Sequence, residues 1–199
     1  VAKRLLRSAR IDTPPFALVL PGEELTEPIE LPAIVKPALA DGSQGITSRS
    51  VVKTMADARR RISYVHRSFR QPALVERFVA GREFQVAMLG NAEPEVLAVA
   101  ELSYAGLPRG LPRICSYSAK WHPHSAYYKH TNPVLPADVP DSLRRRIEGA
   151  AIRTYRLFGM RGYARVDFRM RRQRPQVIDV NPNCDISADA GLARAARID

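Results

Sequence analysis

Three observations predict an α+β fold for this 199-residue chain. Strand-like and helix-like segments follow one another in mixed order rather than in a regular alternation. The apolar share is 45% and the charged share 26%, the balance of a globular protein long enough to bury a core. Neither an internal repeat nor a low-complexity tract interrupts the pattern.

Taken in order, residues 3–10 read as a short helix with Leu5, Leu6 and Ala9 on one face. Thr13-Pro14-Pro15 ends it, and 16–20 reads as a strand. The acidic, proline-rich stretch 21–32 is a loop, and 33–37 is a strand running into Asp41-Gly42-Ser43-Gln44-Gly45. Thr54 is an N-cap for an Ala/Arg helix reaching about Ser68. Strands follow at 73–76, 83–89 and 95–101, the first two separated by a connection containing Gly81. Residues 104–136 hold most of the Tyr and His and read as long loops around a strand near 115–120. Asp138 to Phe158 is a helix, with Pro140 and Asp141 at its start and Gly159 at its end. Strands at 163–169 and 176–181 close a hairpin over 171–175, and a last helix begins near Ala190 and runs to Asp199.

Charge narrows the partners. The chain carries 31 Lys+Arg against 20 Asp+Glu, a net +11, and the cations are 26 Arg to only 5 Lys. Such an excess points toward polyanions, nucleic acid or nucleotide phosphate. The clusters 59–61, 144–146 and 169–174 fall largely in helical segments, where a charge run reads as a solvated face. No nucleic-acid recognition signature is present and the aromatics are not interleaved with the arginines, which argues against a nucleic-acid partner. No stretch approaches the roughly 20 apolar residues that span a bilayer, so no membrane partner is expected. Cys115 and Cys184 make neither a disulfide framework nor a zinc pattern, and a reducing cytoplasm is the expected compartment. His122, Pro123, His124 and His130 read as loop residues, and Cys184 has no histidine placed to activate it.

The C-terminal hairpin carries the most chemistry. With its turn centred on Gln173, Asp167 faces Asp179 and Arg165 faces Asn181, all four on one side of the sheet. Val166, Phe168, Ile178 and Val180 form the other, apolar side. Opposed like charges with Cβ atoms only about 5 Å apart destabilise a sheet. A hard divalent cation removes that penalty, and two carboxylates with an amide oxygen suit Mg²⁺. Arg165 beside them can hold a phosphate or offset developing negative charge. A solvated polar face with an Arg–Asp pair remains open on the same residues. Lys36, on a short strand before the glycine loop, supplies a point charge where glycines let backbone N–H groups approach phosphate. The spacing is not that of a P-loop, and a plain turn fits the loop as well. In 74–84, Glu76 and Glu83 can accept hydrogen bonds from an amino group and from ribose hydroxyls, or simply balance Arg77 and Arg82.

Their order is more specific than any one of them. Lys36, the glycine loop, Glu76 and Glu83, Lys120, Arg165-Val166-Asp167 and Asp179-Val180-Asn181 succeed one another as in the ATP-grasp superfamily, and the chain most resembles its D-alanine–D-alanine ligase-like branch. The resemblance covers nearly the whole chain. It implies an ATP-grasp fold, two α+β subdomains gripping ATP between them, with 1–32 leading in, 33–80 as the smaller lid subdomain and 81–199 as the larger one. It implies that Lys36 and Lys120 hold ATP phosphates under the loop containing Ser43 and Gly45. Glu76, Phe78 and Val79 match the adenine-binding linker, and Glu83 the ribose ligand. Arg165 matches the arginine at the reacting phosphoryl group, and Lys36 acts on the same charge. Asp167, Asp179 and Asn181 match the ligands of two Mg²⁺ ions, with Asp179 where these ligases commonly carry Glu.

After Asn181 comes Pro182-Asn183-Cys184-Asp185-Ile186-Ser187, unlike the Pro-Gly-Met-Thr-like segment of D-alanine enzymes. Relatives also carry a preceding domain and continue beyond the last helix, so the chain resembles the ATP-binding portion of a larger protein or a divergent short homologue. The activity implied is that of a carboxylate–amine ligase acting through an acyl phosphate, on small carboxylate and amine substrates. The alternative is a nucleotide-binding module that ligates nothing itself. Oligomeric state is left open.

Overall fold

The computed structural model describes residues 2–198; Val1 and Asp199, the outer ends of the sequence reading, lie outside the described residues. In chain order its elements are α1 (Ala2–Ser8), β1 (Phe16–Val19), β2 (Ala33–Pro37), β3 (Val51–Val52), α2 (Met55–Phe69), β4 (Ala73–Arg77), β5 (Glu83–Gly90) and β6 (Glu95–Ser103). There follow α3 (Tyr117–Trp121), α4 (Ala126–His130), β7 (Asn132–Val134), α5 (Asp141–Leu157), β8 (Gly162–Arg171), β9 (Arg174–Asn181) and α6 (Gly191–Ala195). They form two sheets, one of four strands in the order β1-β4-β2-β3 and one of five in the order β7-β6-β5-β8-β9. All registers described for β1–β6, β8 and β9 are antiparallel, as an α+β fold requires.

The chain divides into two compact units, each discontinuous in sequence. Residues 14–78 and 104–132 make the unit with the four-stranded sheet; 2–13, 79–103 and 133–198 make the one with five strands. This differs from the contiguous division 1–32, 33–80 and 81–199. β1 pairs with β4 from Phe16↔Glu76 to Val19↔Ala73, which binds the leading segment into the smaller sheet. Tyr117 N–H donates to the Ile46 carbonyl at 2.9 Å, joining 104–132 to the same unit.

Period-2 alternation decides which face of each sheet is buried. In the four-stranded sheet Val19, Ala33, Val35, Ala73 and Val75 pack on Ala58, Ile62 and Val65 of α2. Thr54 caps that helix by accepting the Asp57 N–H at 3.1 Å. In the five-stranded sheet Phe84, Val86, Met88, Ala164, Val166 and Phe168 pack on Leu143, Ile147, Ala151 and Tyr155 of α5. The odd-numbered residues of β5 and β8 therefore face the other way.

The hairpin differs from its sequence reading in one respect. Its turn is Arg172-Gln173, between paired Arg171 and Arg174, and the register shifts between Asp167 and Phe168. Phe168 pairs with Val177, so Val177 is fully buried where Ile178 was expected, and Ile178 is the extra residue of a β-bulge. The bulge returns Asp167 to Asp179 and Arg165 to Asn181, the pairings that alternation alone predicts.

The strand expected near 115–120 is instead helix. Ser116 accepts the Ala119 N–H at 3.3 Å and Ser125 the Tyr128 N–H at 3.1 Å, so two serine caps start two single-turn helices, α3 and α4. No helix among the described residues is long and apolar enough to cross a membrane.

Candidate functional site

The expected site residues divide between the units: Lys36, Ser43, Gly45, Glu76, Phe78 and Lys120 in one, Val79, Glu83, Arg165, Asp167, Asp179 and Asn181 in the other. In the four-stranded unit Lys36 and Glu76 lie on the sheet face away from α2. Ile34 pairs with Glu76 and Lys36 with Leu74, so the two are diagonal neighbours. Lys36 Nζ is 2.6 Å from Glu76 Oε2, and the Glu76 side chain is only 2% exposed. Burial makes this pair expensive to break from one side, and it holds the ammonium at a fixed place.

The glycine loop is tied to the segment that carries Lys120. Ser43, in the left-handed region at φ 63°, donates its hydroxyl to the Cys115 carbonyl at 2.9 Å. The Gly42 carbonyl accepts from Trp121 Nε1 at 3.1 Å, one residue beyond Lys120 in α3. Gly45 has φ 71°, and a Cβ there would come within 2.6 Å of Pro37 and 2.8 Å of Phe69. Its carbonyl accepts from Arg61 Nη2, and Arg61 also donates to Ser50 Oγ at 3.0 Å. Arg61 is therefore buried, unlike the solvated face expected of 59–61, because the Gly45 carbonyl and the Ser50 hydroxyl supply its partners. Phe78 N–H donates to the Pro32 carbonyl at 2.8 Å.

The five-stranded unit presents one polar row across its open face. Glu83 pairs with Arg169, Gln85 with Asp167 and Ala87 with Arg165 on β5 and β8; Asp167 pairs with Asp179 and Arg165 with Asn181 on β8 and β9. Arg165 places a two-pronged fork on Asp167, Nε to Oδ1 at 2.7 Å and Nη2 to Oδ2 at 2.9 Å. The Asp167 carboxylate holds the Arg165 guanidinium above its ordinary range against the opposing effect of burial, and Asp179 adds to it. Asn181 Oδ1 accepts the Asn183 N–H at 3.1 Å, which fixes the amide.

Glu83 and Arg169 form a buried ion pair, each side chain 5% exposed. Arg169 Nη1 also donates to the carbonyls of Val79 at 3.2 Å and Gly81 at 3.3 Å, so one guanidinium braces the whole segment into β5. Gly81 is obligatory there, since a Cβ would lie 1.9 Å from the Met170 carbonyl oxygen. Arg169 and Gln85 were not singled out from the sequence. Two-residue spacing from Asp167 and from Glu83 was the available signal, and the arginine cluster 169–174 masked the first.

These donors fit Mg²⁺ by their chemistry. Two carboxylates opposed in register and an amide oxygen are all hard ligands, and Asp179 is exposed. No group of three or more His, Cys, Asp or Glu able to hold a metal exists among the described residues. A two-carboxylate set is the one Mg²⁺ accepts when phosphate oxygens and water complete its shell. The histidines 122, 124 and 130 thus gather no metal site. Burial pushes the Cys184 thiol up, as expected of a packing residue rather than a nucleophile.

Comparison with known proteins follows the same lines. Residues 6–188 match the family model described as D-ala D-ala ligase C-terminus. An uncharacterised protein of Sinorhizobium fredii is similar, 30% identical over 199 residues that span 98% of this chain and 56% of that protein. The D-alanine–D-alanine ligase of Desulfotalea psychrophila is 34% identical over 146 residues, 73% of this chain and 42% of its own. Among solved structures, the D-alanine–D-alanine ligase of Bacillus anthracis complexed with ATP shares the fold, with a TM-score of 0.73 at 20% identity over 98% of this chain and 57% of that one. The chain spans about half the length of the curated relatives it matches.

Proposed function

Because the chain belongs to the D-Ala–D-Ala ligase C-terminal family of ATP-grasp domains, we propose that it binds ATP with Mg²⁺ and activates a carboxylate as an acyl phosphate for attack by an amine. The observation that carries this reading is the polar row of the five-stranded sheet, where Asp167 and Asp179 oppose each other in register beside Arg165. The Arg165 fork offsets Asp167, and a phosphate-bound cation would offset the exposed Asp179 opposed to it. When bound, Mg²⁺ offsets charge on the phosphate oxygens.

The chain's own residues do the rest by position and charge. Lys36 and Lys120 bind phosphate oxygens, and the backbone of the loop with Ser43 and Gly45 closes on them to exclude water. Glu76, Phe78 and Val79 receive the adenine, and Glu83, held by Arg169, accepts from the ribose. Arg165 steadies the γ-phosphoryl group as it passes to the carboxylate, its orientation set by the fork on Asp167. The acceptor is a small carboxylate, an amino acid or peptide, and the compartment this chemistry implies is the cytoplasm.

Asp167→Asn tests the reading. Removing one carboxylate should lower Mg²⁺-dependent ATP turnover on the order of 100-fold or more, with the circular dichroism spectrum retained. Turnover at the parent rate would overturn the assignment of the metal ligands.

A further inference from the structure

The five-stranded unit also carries a groove of about 630 Å³ whose charge is nearly all of one sign. Arg145, Arg146, Gly149 and Arg153 stand three and four residues apart on α5 and form a single stripe. Arg10 and Arg174 face them across the groove, and Asp12 is its one carboxylate. Arg174 engages Asp12 at 3.0 and 3.3 Å, and Arg146 Nη1 donates to the Gln173 carbonyl at 3.2 Å, so two of the five guanidinium groups are fixed in place. Arg10, Arg145 and Arg153 are exposed.

Gly149 is the least expected member. A glycine inside a helix is destabilising relative to alanine, and here the fold does not ask for one: an added Cβ would meet nothing within 4 Å. What the glycine does is leave the groove floor open between Arg145 and Arg153, about 12 Å apart along the helix. Neither an aromatic nor a large apolar side chain lines the groove. It has no platform for stacking a base and no anchor for a protein hot spot. Five guanidinium forks dominate beside the polar Ser142, Gln173 and Asp12, and their geometry is matched to phosphate.

We propose that this groove binds a multi-phosphate anion, separately from the ATP reading. The probe is inorganic tripolyphosphate, titrated calorimetrically into the full chain at low salt without Mg²⁺. The Arg145→Ala/Arg153→Ala double variant should lose at least about tenfold in affinity, as removal of two charged contacts implies. Gly149→Glu should lose as much while its melting temperature stays at or above the parent's, since the new side chain enters open space. Lys36→Ala, which removes a phosphate contact of the ATP reading, should retain the share of tripolyphosphate binding that the groove variants lose, and the double variant should leave ATP turnover unchanged. Undiminished binding in either groove variant overturns the proposal. So does a single-stranded oligonucleotide or an acidic peptide that binds tighter than tripolyphosphate and is lost in the same variants, because the groove then serves a macromolecule.

Discussion

Arg169 shows how much one side chain can decide. It is 4% exposed, pairs with Glu83 and donates to two carbonyls of the segment before β5. Truncating it strands a buried carboxylate and the buried Val79 carbonyl at once, so Arg169→Ala should destabilise the chain by about 3–5 kcal/mol. Replacing both partners with apolar residues, Arg169→Met with Glu83→Leu, should recover much of that loss. Urea unfolding of the three proteins checks both halves, and equal midpoints for parent and Arg169→Ala would remove the pair from the account. The same residue marks the limit of reading charge from sequence. Arg61, Arg77 and Arg169 are each buried, with partners at Gly45, Glu30 and Glu83, residues 16, 47 and 86 positions away. A run of arginines in a string of letters carries no trace of partners so distant, whereas Lys36, Asp167 and Asp179 stood out because strand alternation fixes their face locally.

Elements were legible where their period is long enough to register. Strands β1, β2, β4, β5, β6, β8 and β9, the Thr54 cap and the helix of α5 follow from alternation and capping; β3 and β7, two and three residues long, were not legible. α3 and α4 do not, because a five-residue helix completes little more than one turn and leaves no periodic stripe. Tyr127, the buried residue of α4, anchors this stretch by donating its hydroxyl to the Pro112 carbonyl at 3.0 Å. Burial pushes its phenol up to about 12 from an ordinary 10.0. The sign follows from linkage: the folded state keeps the proton longer than the unfolded chain, so this contribution is whole below pH 10 and is lost as pH rises toward 12. The urea midpoint of the parent should therefore fall faster between those limits than that of Tyr127→Phe, and parallel curves would show that the phenol titrates freely. The β-bulge at Ile178 was likewise illegible, since pairing depends on the turn, and the turn here lies half a residue from where symmetry would put it.

At the scale of the whole molecule, three populations stand apart from the solvated cations such as Arg59 and Arg60 in the net charge of +11: buried braces such as Arg169, the cations Lys36, Lys120 and Arg165 proposed for phosphate, and the exposed groove around α5. The discontinuous units explain why the middle of the chain read poorly, for 104–132 is bonded to residues 71 to 79 positions earlier. Whether the proposed phosphoryl transfer takes place is decided by a chemical trap rather than by binding. An acyl phosphate is an activated carbonyl, and hydroxylamine attacks it to give a hydroxamate and inorganic phosphate. If the polar row transfers the γ-phosphoryl group to a carboxylate, incubation with ATP, Mg²⁺, hydroxylamine and a small amino acid should yield hydroxamate and a matching burst of phosphate. Asp167→Asn should yield neither. A panel of amino acids of both hands and of short peptides reads out the acceptor, with the productive one raising phosphate release severalfold. Tight nucleotide binding with no hydroxamate from any acceptor would instead make the chain a nucleotide-binding module.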